Sequence, residues 1–467
     1  MLIHQAEIWG HGMGDVRLAG GQITAIGALS PQPGEAILDA AGGALLPGLH
    51  DHHIHLTALA ARKTSVICGP PEVTDAATLA ARLQAAPGTG WIRGIMYHES
   101  LMGLPNAAAL DALVADRPLR MQHRGGRLWL FNSAALALLL AAAPPPPTLD
   151  LTTGHLFDAD DWLRGALASQ PPQLGATSAQ LATFGITGLT EMSPRNDAAM
   201  AAHFAAEQTR GALLQRLYVA GTLGLANAPP GPWQLGPAKL HLHEAALPDL
   251  DETIAFIRDA HAQRRPVASH CTTEVELVFT LAALAAAGPA AGLQDRIEHA
   301  GICPDHLLAE IAAMGLAVIS QPHFIAERGD QYLTDVPTAD HGALYRLAAF
   351  AKAGIPLAAG SDAPFGSADP WAAMAAAVSR QTGQGKILGA QEALTPEDAL
   401  ALFLADPQDL SRQRPLTPGA PADLCLLTLP WAKARRPLSA QNVAATFIKG
   451  GLVYQAVHQP PIMRQGS

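Results

Sequence analysis

The sequence is poor in cysteine and in charged side chains. Its four cysteines, Cys68, Cys271, Cys303 and Cys425, lie far apart and form no Cys-x-x-Cys pair. This spacing excludes a thiolate zinc site and a disulfide scaffold, and it is typical of a reducing compartment. Only 15% of the residues are charged, and the net charge of −10 comes from scattered acidic residues. Because no basic stripe is present, we expect no nucleic-acid partner.

Long hydrophobic runs are also missing. The longest strongly apolar run, residues 134–143, is too short to span a bilayer and is followed by four prolines. We interpret it as a buried helix that stops at Pro144. The N-terminal segment MLIHQAEIWG lacks the basic and apolar regions of a signal peptide. We therefore expect a cytoplasmic protein without a membrane partner.

Strand-like patterns occur at both ends of the chain. Residues 2–46 alternate apolar and polar positions between Gly-rich turns, and the same pattern returns at 421–429 and 442–455. The pattern predicts a small β-sandwich domain formed by residues 1–47 and 412–457 together. Residues 415–421 and the tail after Gln455 are expected to be loops.

The middle of the chain, residues 48–411, repeats a short apolar strand, a polar residue at its end and an Ala/Leu-rich helix. The repeat predicts an α/β fold with a (β/α)8 TIM barrel and an insertion around residues 131–180. A doubly wound open sheet is the alternative. Polar residues at the strand ends favour the barrel, whose enzymes collect their functional groups there. The candidate strands are 49–55, 119–123, 188–192, 239–243, 267–270, 296–299, 317–321 and 357–362.

Histidine is abundant, with 19 residues, and the strongest local pattern is PGLHDHHIH at 47–55. Side chains alternate along a strand, so Asp51, His53 and His55 point the same way. Two such imidazoles can bind one cation, and Asp51 can orient one of them. A polar His cluster in a loop is the alternative for a bare His-x-His pattern. The Pro-Gly turn, and the position of Asp51 on the same side of the strand as the two histidines, favour the metal site.

Lys239 opens the apolar strand KLHLH, where a buried lysine is costly unless it has a task. A lysine with a lowered pKa reacts with carbon dioxide, and the carbamate can bridge two metal ions. A surface lysine with a snorkelling stem is the alternative. His241 and His243 share its side of the strand and compete for the same role.

Three further strand ends carry ligand candidates. His270 ends PVASH, His299 ends RIEHAG, and Asp362 follows an apolar strand in AAGSDAPFG. A single His at a strand end is commonly a capping or core residue, and Asp362 could be a helix N-cap. Their succession along the chain favours one shared site.

Together, these donors suit zinc or a similar divalent ion, as one ion or two. Such a site activates water, and Asp362 can take the proton of the water and pass it to a leaving group. This chemistry is hydrolysis. Substrate contacts are assigned to His323 in SQPHF, to Arg127, and to Glu191 in the third strand.

Several segments together resemble the amidohydrolase superfamily, closest to the branch that includes N-substituted formamide deformylase. The segments are PGLHDHHIH, FNSAAL (131–136), RIEHAG, GSDAPFG, LTPEDALALF (394–403) and LTPGAPADLCLL (416–427). The resemblance implies metal ligands at His53, His55, carbamylated Lys239, His270, His299 and Asp362, with Asp362 as the base.

The chain departs from this branch at two places. It has Gly126-Arg127 where the branch often has Gly-His, and HLHEAALPDLDE where the branch has a Gly-rich loop. Both departures lie on the substrate side of the expected site.

The leading hypothesis is a metal-dependent hydrolase that cleaves a C–N bond in an amide, a cyclic amide or an N-acyl compound. Hydrolysis of an ester or carbamate, or deamination, by the same site is the alternative. A catalytically dead barrel that acts as a scaffold is a hypothesis from another class. The expected partner is a small-molecule substrate, and a homodimer is left open.

Overall fold

The computed structural model describes residues 1–70, 72–167 and 171–457, together with the backbone of 462–465. The chain divides into two compact units. The first consists of Met1–Leu56 and Gln173–Ser467, and the second is Thr57–Pro172.

Strands and helices are numbered in chain order within the described residues. The strands are β1 (Leu2–Ile8), β2 (Gly12–Ala19), β3 (Gln22–Gly27), β4 (Ala36–Asp39), β5 (Ala44–Pro47), β6 (Leu49–Ile54), β7 (Val66–Ile67), β8 (Ile92–Tyr97), β9 (Leu119–His123), β10 (Leu128–Phe131), β11 (Leu149–Asp150), β12 (His155–Phe157), β13 (Ile186–Glu191), β14 (Arg216–Gly221), β15 (Gln234–Leu240), β16 (Val267–Cys271), β17 (Arg296–His299), β18 (Ala317–Ser320), β19 (Leu357–Ala359), β20 (Ala405–Asp406), β21 (Asp409–Gln413), β22 (Leu424–Leu427), β23 (Val443–Ile448), β24 (Gly451–Gln455) and β25 (Ile462–Gln465).

The helices are α1 (Leu56–Lys63), α2 (Ala76–Gln84), α3 (Ala107–Asp111), α4 (Ser133–Ala142), α5 (Asp160–Ala166), α6 (Gly175–Thr183), α7 (Ala198–Thr209), α8 (Leu250–Ala262), α9 (Glu274–Ala287), α10 (Asp305–Ala313), α11 (His323–Asp335), α12 (Ala348–Lys352), α13 (Pro370–Ser379), α14 (Pro396–Leu404) and α15 (Trp431–Ala434). Short 3-10 turns occupy Leu223–Asn227, Glu244–Ala246, Thr338–Ala343, Ala390–Glu392 and Ala440–Asn442.

The predicted α/β barrel is confirmed in the first unit. Eight parallel strands follow the order β6-β13-β14-β15-β16-β17-β18-β19. Their side chains are buried on both faces, as expected for parallel strands that helices cover from outside. Apolar faces of α8, α9 and α10, including Ile257, Leu281 and Ile311, pack with Ile297 and Val318 of the strands in one core.

Local sequence explains where these helices begin and end. In α9, the Thr273 side chain accepts from the Glu276 amide, and the Glu276 side chain accepts from the Thr273 amide. The helix stops at Gly288, whose φ of 86° is accessible at low cost without a Cβ atom. The strand–helix repeat of the sequence predicts helices at 250–263, 274–288 and 304–315, and these are confirmed within two residues at each end.

One predicted barrel strand belongs to a different sheet. Residues 119–123 do form a strand, β9, but it pairs with β8 and β10 in the six-stranded sheet of the second unit. The assignment of 119–123 to the barrel is therefore wrong. The barrel strand that the sequence analysis missed is β14, with the sequence RLYVAG. Alternation and β-propensity show that a segment is a strand, but they do not say which strand it will pair with.

The second unit contains more than the predicted insertion at 131–180. It begins at Thr57 and carries the sheet β11-β12-β10-β9-β8-β7 with helices α2 to α5. The apolar run at 134–143 lies in α4, as predicted, and the helix ends at Ala142 before the prolines. The helix Gly175–Thr183 lies in the first unit, so the predicted insertion boundary at 180 differs from the observed one.

The two ends of the chain meet in one nine-stranded sheet with the order β24-β23-β22-β5-β1-β2-β3, to which β4 and β25 add through β1. Strand β22 joins the two ends because it pairs antiparallel with β5, Leu424 opposite Pro47. The two-layer β-sandwich is not confirmed. The prediction of a loop after Gln455 is wrong for residues 462–465, which pair with β4 as β25, while 458–461 and 466–467 lie outside the described residues.

No helix among the described residues combines the length and the apolar character needed to cross a membrane.

The barrel is nearly closed by contacts between β6 and the segment that follows β19. The Asp362 amide donates to the His53 carbonyl at 2.7 Å, and the His55 amide donates to the Ala363 carbonyl at 2.9 Å. A Cβ atom at Gly360 would lie 2.3 Å from the His53 backbone nitrogen, so only glycine allows this approach.

We expect Gly360→Ala to lower the free energy of unfolding by about 1–3 kcal/mol, the usual cost of forcing an atom into a packed site. The clashing atoms are backbone and cannot rotate away. Urea unfolding followed by circular dichroism measures the change. Gly342→Ala is the matched control, because its Cβ would meet only the Gln391 side chain, at 3.8 Å. Equal stability of the two variants would contradict this account of the closure.

Candidate metal centre

The predicted ligands of the first unit gather at the carboxyl ends of the barrel strands. His53 lies in β6 and His55 directly after it, and ring centroids link His53 to His299 at 4.8 Å and His299 to His270 at 4.6 Å. The predicted ligands are His53, His55, Lys239, His270, His299 and Asp362.

Three of these residues already have the spacing of a metal site. Nε2 of His55 lies 3.1 Å and Nε2 of His53 lies 3.4 Å from Oδ1 of Asp362. One donor atom from each residue lies within 4.8 Å of the other two. Nitrogen and carboxylate donors at this spacing fit a divalent cation such as zinc.

Hydrogen bonds at Nδ1 fix three of the imidazoles. Nδ1 of His53 is 2.5 Å from Glu298 Oε2, Nδ1 of His55 is 3.2 Å from Ser193 Oγ, and Nδ1 of His299 is 2.8 Å from Gln321 Oε1. Each bond leaves Nε2 available for a cation. None of these three hydrogen-bond partners was predicted from the sequence. The sequence does contain an indication for Glu298, because this carboxylate lies in an apolar strand directly before the predicted ligand His299.

Asp51 acts on the backbone of the site. Its Oδ1 accepts from the amide of His53 at 3.1 Å and from the amide of Ser361 at 2.9 Å. Burial raises the pKa of Asp51 to about 6. Asp51 therefore orients His53 through its backbone amide rather than through its ring, and it also ties the first barrel strand to the segment that bears Asp362.

Lys239 is buried, with 5% of its surface exposed, and its Nζ has no hydrogen-bond partner among the described residues. Burial lowers the pKa of this amine. The alternative of a snorkelling surface lysine is therefore wrong. The unprotonated amine, which a lowered pKa favours, is the form that reacts with carbon dioxide, so this residue also fits a metal centre.

Asp362 remains a carboxylate despite its burial. Burial by itself raises its pKa, but the hydrogen bond from His55 and the fields of His53 and His299 outweigh this effect and hold the pKa below its usual range. Its backbone has a φ of 50°, and His299 has a φ of 73°. Left-handed conformations at two non-glycine residues are costly and are concentrated at functional sites.

The substrate-binding candidates lie in different places. Glu191 is fully buried and accepts from the amides of Leu56 and Ser193, so it positions the residue that contacts His55. His323 is 1% exposed, and its Nε2 donates to the Ser361 carbonyl at 2.9 Å. Their substrate contacts stay predictions.

Arg127 belongs to the second unit. Its guanidinium forms a two-pronged ion pair with Asp158, in which Nε lies 2.8 Å from Oδ1. Its predicted contact with substrate also stays a prediction.

The sequence pattern of the amidohydrolase family matches residues 36–454. The chain belongs to the amidohydrolase family. The resemblance stated from the sequence is thereby confirmed.

Individual relatives agree with this membership. N-substituted formamide deformylase from Arthrobacter pascens is 24% identical over 515 residues, covering 94% of this chain and 94% of that protein. The Bacillus subtilis (strain 168) amidohydrolase YtcJ is 27% identical over 215 residues, which are 44% of this chain and 40% of that protein. A structure described as an uncharacterized metal-dependent hydrolase from Pyrococcus horikoshii OT3 has a TM-score of 0.75 at 20% identity and covers 91% of this chain and 97% of that chain. The Pyrococcus horikoshii structure and the present chain share the same fold.

We expect Gln321→Leu to weaken metal binding by about 10- to 100-fold without removing a ligand, because partners of metal-bound histidines have effects of this size. The Gln321 Nε2 atom has no partner among the described residues, so leucine also removes an unsatisfied donor. Titration of metal-free protein with zinc measures the affinity. His306→Ala, at a surface position, is the control, and an unchanged affinity in Gln321→Leu would contradict the support role of Gln321.

Proposed function

We propose that the chain is a metal-dependent hydrolase that cleaves a C–N bond in a small molecule, in an amide, a cyclic amide or an N-acyl compound. The observation that carries the proposal is the convergence of His53, His55 and Asp362 beside the buried, unpartnered amine of Lys239. The name of the Arthrobacter relative, which aligns over 94% of both chains, supports the bond type.

The donor set favours zinc, as one ion or two. His53, His55 and Asp362 would hold the first ion, while His270 and His299 would serve a second. Lys239 would link the two as a carbamate. Its neutral amine adds to carbon dioxide: one N–C bond forms, one C=O π bond opens to leave the negative charge on oxygen, and one N–H bond breaks to release a proton. Burial lowers the pKa of this amine, which supports the step because only the neutral form is nucleophilic.

A divalent ion bound here supplies Lewis-acid activation of water and of the scissile carbonyl. Asp362 accepts the proton of the attacking water on its carboxylate as the C–O bond forms. It then donates that proton to the leaving nitrogen as the C–N bond breaks. His53 and His55 keep their Nε2 atoms directed at the reacting centre because Glu298 and Ser193 occupy their Nδ1 atoms.

One wall of the site is apolar. The ring of Phe365 is 53% exposed and lies edge-on to His55, with ring centroids 5.5 Å apart. A hydrophobic part of a substrate can pack against this ring beside the reacting carbonyl. This arrangement favours a neutral, partly apolar small molecule.

The proposal is tested with a panel of N-substituted formamides, acetamides, cyclic amides, carbamates and lactones. We expect the zinc-loaded protein to hydrolyse amides, to lose at least about 100-fold of its activity after chelation, and to recover when zinc is returned, since the ion supplies the activated water. Hydrolysis of lactones alone, or equal activity without metal, would refute C–N hydrolysis by a metal centre.

Asp362→Asn separates metal binding from proton transfer. The amide keeps an oxygen donor of the same size but cannot accept a proton. We expect near-normal metal content with turnover lowered by about 100-fold or more, the scale of a lost general base. Mass spectrometry of bound metal and steady-state kinetics measure the two effects. Turnover within a few-fold of wild type would assign the proton transfer to another group.

A further inference from the structure

Two imidazoles that are not used by the proposed mechanism stand at the end of β15. His241 and His243 follow the strand that carries Lys239, and Leu242 between them is fully buried. Both histidines are exposed to solvent. The alternation of the strand therefore continues past its last residue, and it places two exposed rings on the same side of the chain as the buried lysine.

His241 stacks against one of the predicted metal ligands. Its ring is 4.7 Å from the ring of His270, and the two planes differ by 5°. His243 lies 4.6 Å from His241 at an angle of 51°. The ring of His270 makes no hydrogen bond among the described residues, unlike the other three histidines of the donor set. The stacked His241 is thus the neighbour that covers His270 and links the metal centre to its rim.

The rim offers hydrogen bonds that the described part of the protein does not use. Neither the His241 ring nor the His243 ring makes a hydrogen bond among the described residues, although each neutral ring carries one donor and one acceptor. Two carboxylates at the C-terminal end of this segment disfavour an anionic ligand. Glu244 follows His243 directly, and the buried Glu276 carboxylate accepts from the Glu244 amide at 3.0 Å.

We infer that His241 and His243 form a substrate subsite for a neutral, planar, nitrogen-containing ring. Such a ring can stack on imidazole and can also supply a donor and an acceptor to the two side chains. A saturated ring of the same size would cover these nitrogens without replacing their hydrogen bonds to water, which lowers its affinity. The inference deepens the proposed function. It rests on that function, because a substrate subsite requires that the chain is a hydrolase.

Chemical modification tests the subsite without turnover. Diethyl pyrocarbonate carbethoxylates accessible imidazoles of the zinc-loaded protein, and peptide mass spectrometry gives the rate at each histidine. We expect 2-pyridone, a neutral planar ring with one donor and one acceptor, to slow modification of His241 and His243 by about fivefold at four times its dissociation constant, by simple occupancy. His306 is the internal control, because its side chain is 63% exposed on α10 and reports any loss of reagent. Equal protection by cyclohexylmethanol, or no protection at all, would overturn the inference.

Variants connect the subsite to specificity. His241→Phe keeps an aromatic ring against His270 but removes the ring nitrogens. His241→Ala removes the ring together with its nitrogens. His306→Ala is the matched control. In His241→Phe, we expect the kcat/KM preference for N-(2-pyridyl)acetamide over N-cyclohexylacetamide to fall about tenfold, as for the loss of hydrogen bonds to a substrate. Metal content should not change. An unchanged preference would overturn the inference.

The two proposals fail in different ways. Protection of His241 without turnover of any amide would refute the proposed hydrolysis and leave a ring-binding site. Turnover of amides without protection would refute the subsite and leave the hydrolase. The absence of both would refute both.

Discussion

The closure of the barrel between its first and last strands is the constraint on which the site depends. No regular ladder joins β6 to β19. The join consists of backbone bonds around His53 and Asp362, the close approach of Gly360, and the carboxylate of Asp51, which accepts from both sides. Because His53, His55 and Asp362 come from the two sides of this join, the same contacts that close the barrel set the spacing of the candidate metal donors.

Burial and polarity are balanced residue by residue around these donors. Neutral imidazoles lose less by burial than charged groups, and Glu298, Ser193 and Gln321 satisfy their second nitrogens. The unpartnered amine of Lys239 and the ionised carboxylate of Asp362 are stable only in company with the rest of the set. The exposed His241 then extends the set towards solvent through its contact with His270, so the reacting centre and the rim are one continuous group of rings.

Much of the candidate site could be predicted because its residues occur at strand ends in a fixed chain order. His53 and His55 share a side because strand side chains alternate, and RIEH and GSD each deliver a polar group after an apolar run. The partners could not be predicted in the same way. Ser193 and Gln321 belong to segments far from their imidazoles in sequence, and a serine or glutamine after a strand has no distinctive pattern. Parity gives the direction of the Asp51 side chain but not the atoms it meets, so its bonds to the backbone amides of His53 and Ser361 could not be predicted.

The sequence by itself determined the alternation of strands and helices, the meeting of the two terminal segments in one sheet and the residues that meet as candidate metal donors. These features follow from local periodicity, from caps such as Thr273 and Gly288, and from residue chemistry. Only the tertiary structure decided that β9 joins the sheet of the second unit while β14 enters the barrel, and that Lys239 is buried rather than snorkelling. The pairing partner of a strand and the burial of a side chain depend on which distant segments supply hydrogen bonds to the strand and cover its apolar face. Neither the pairing partner nor the burial can be read from one segment alone.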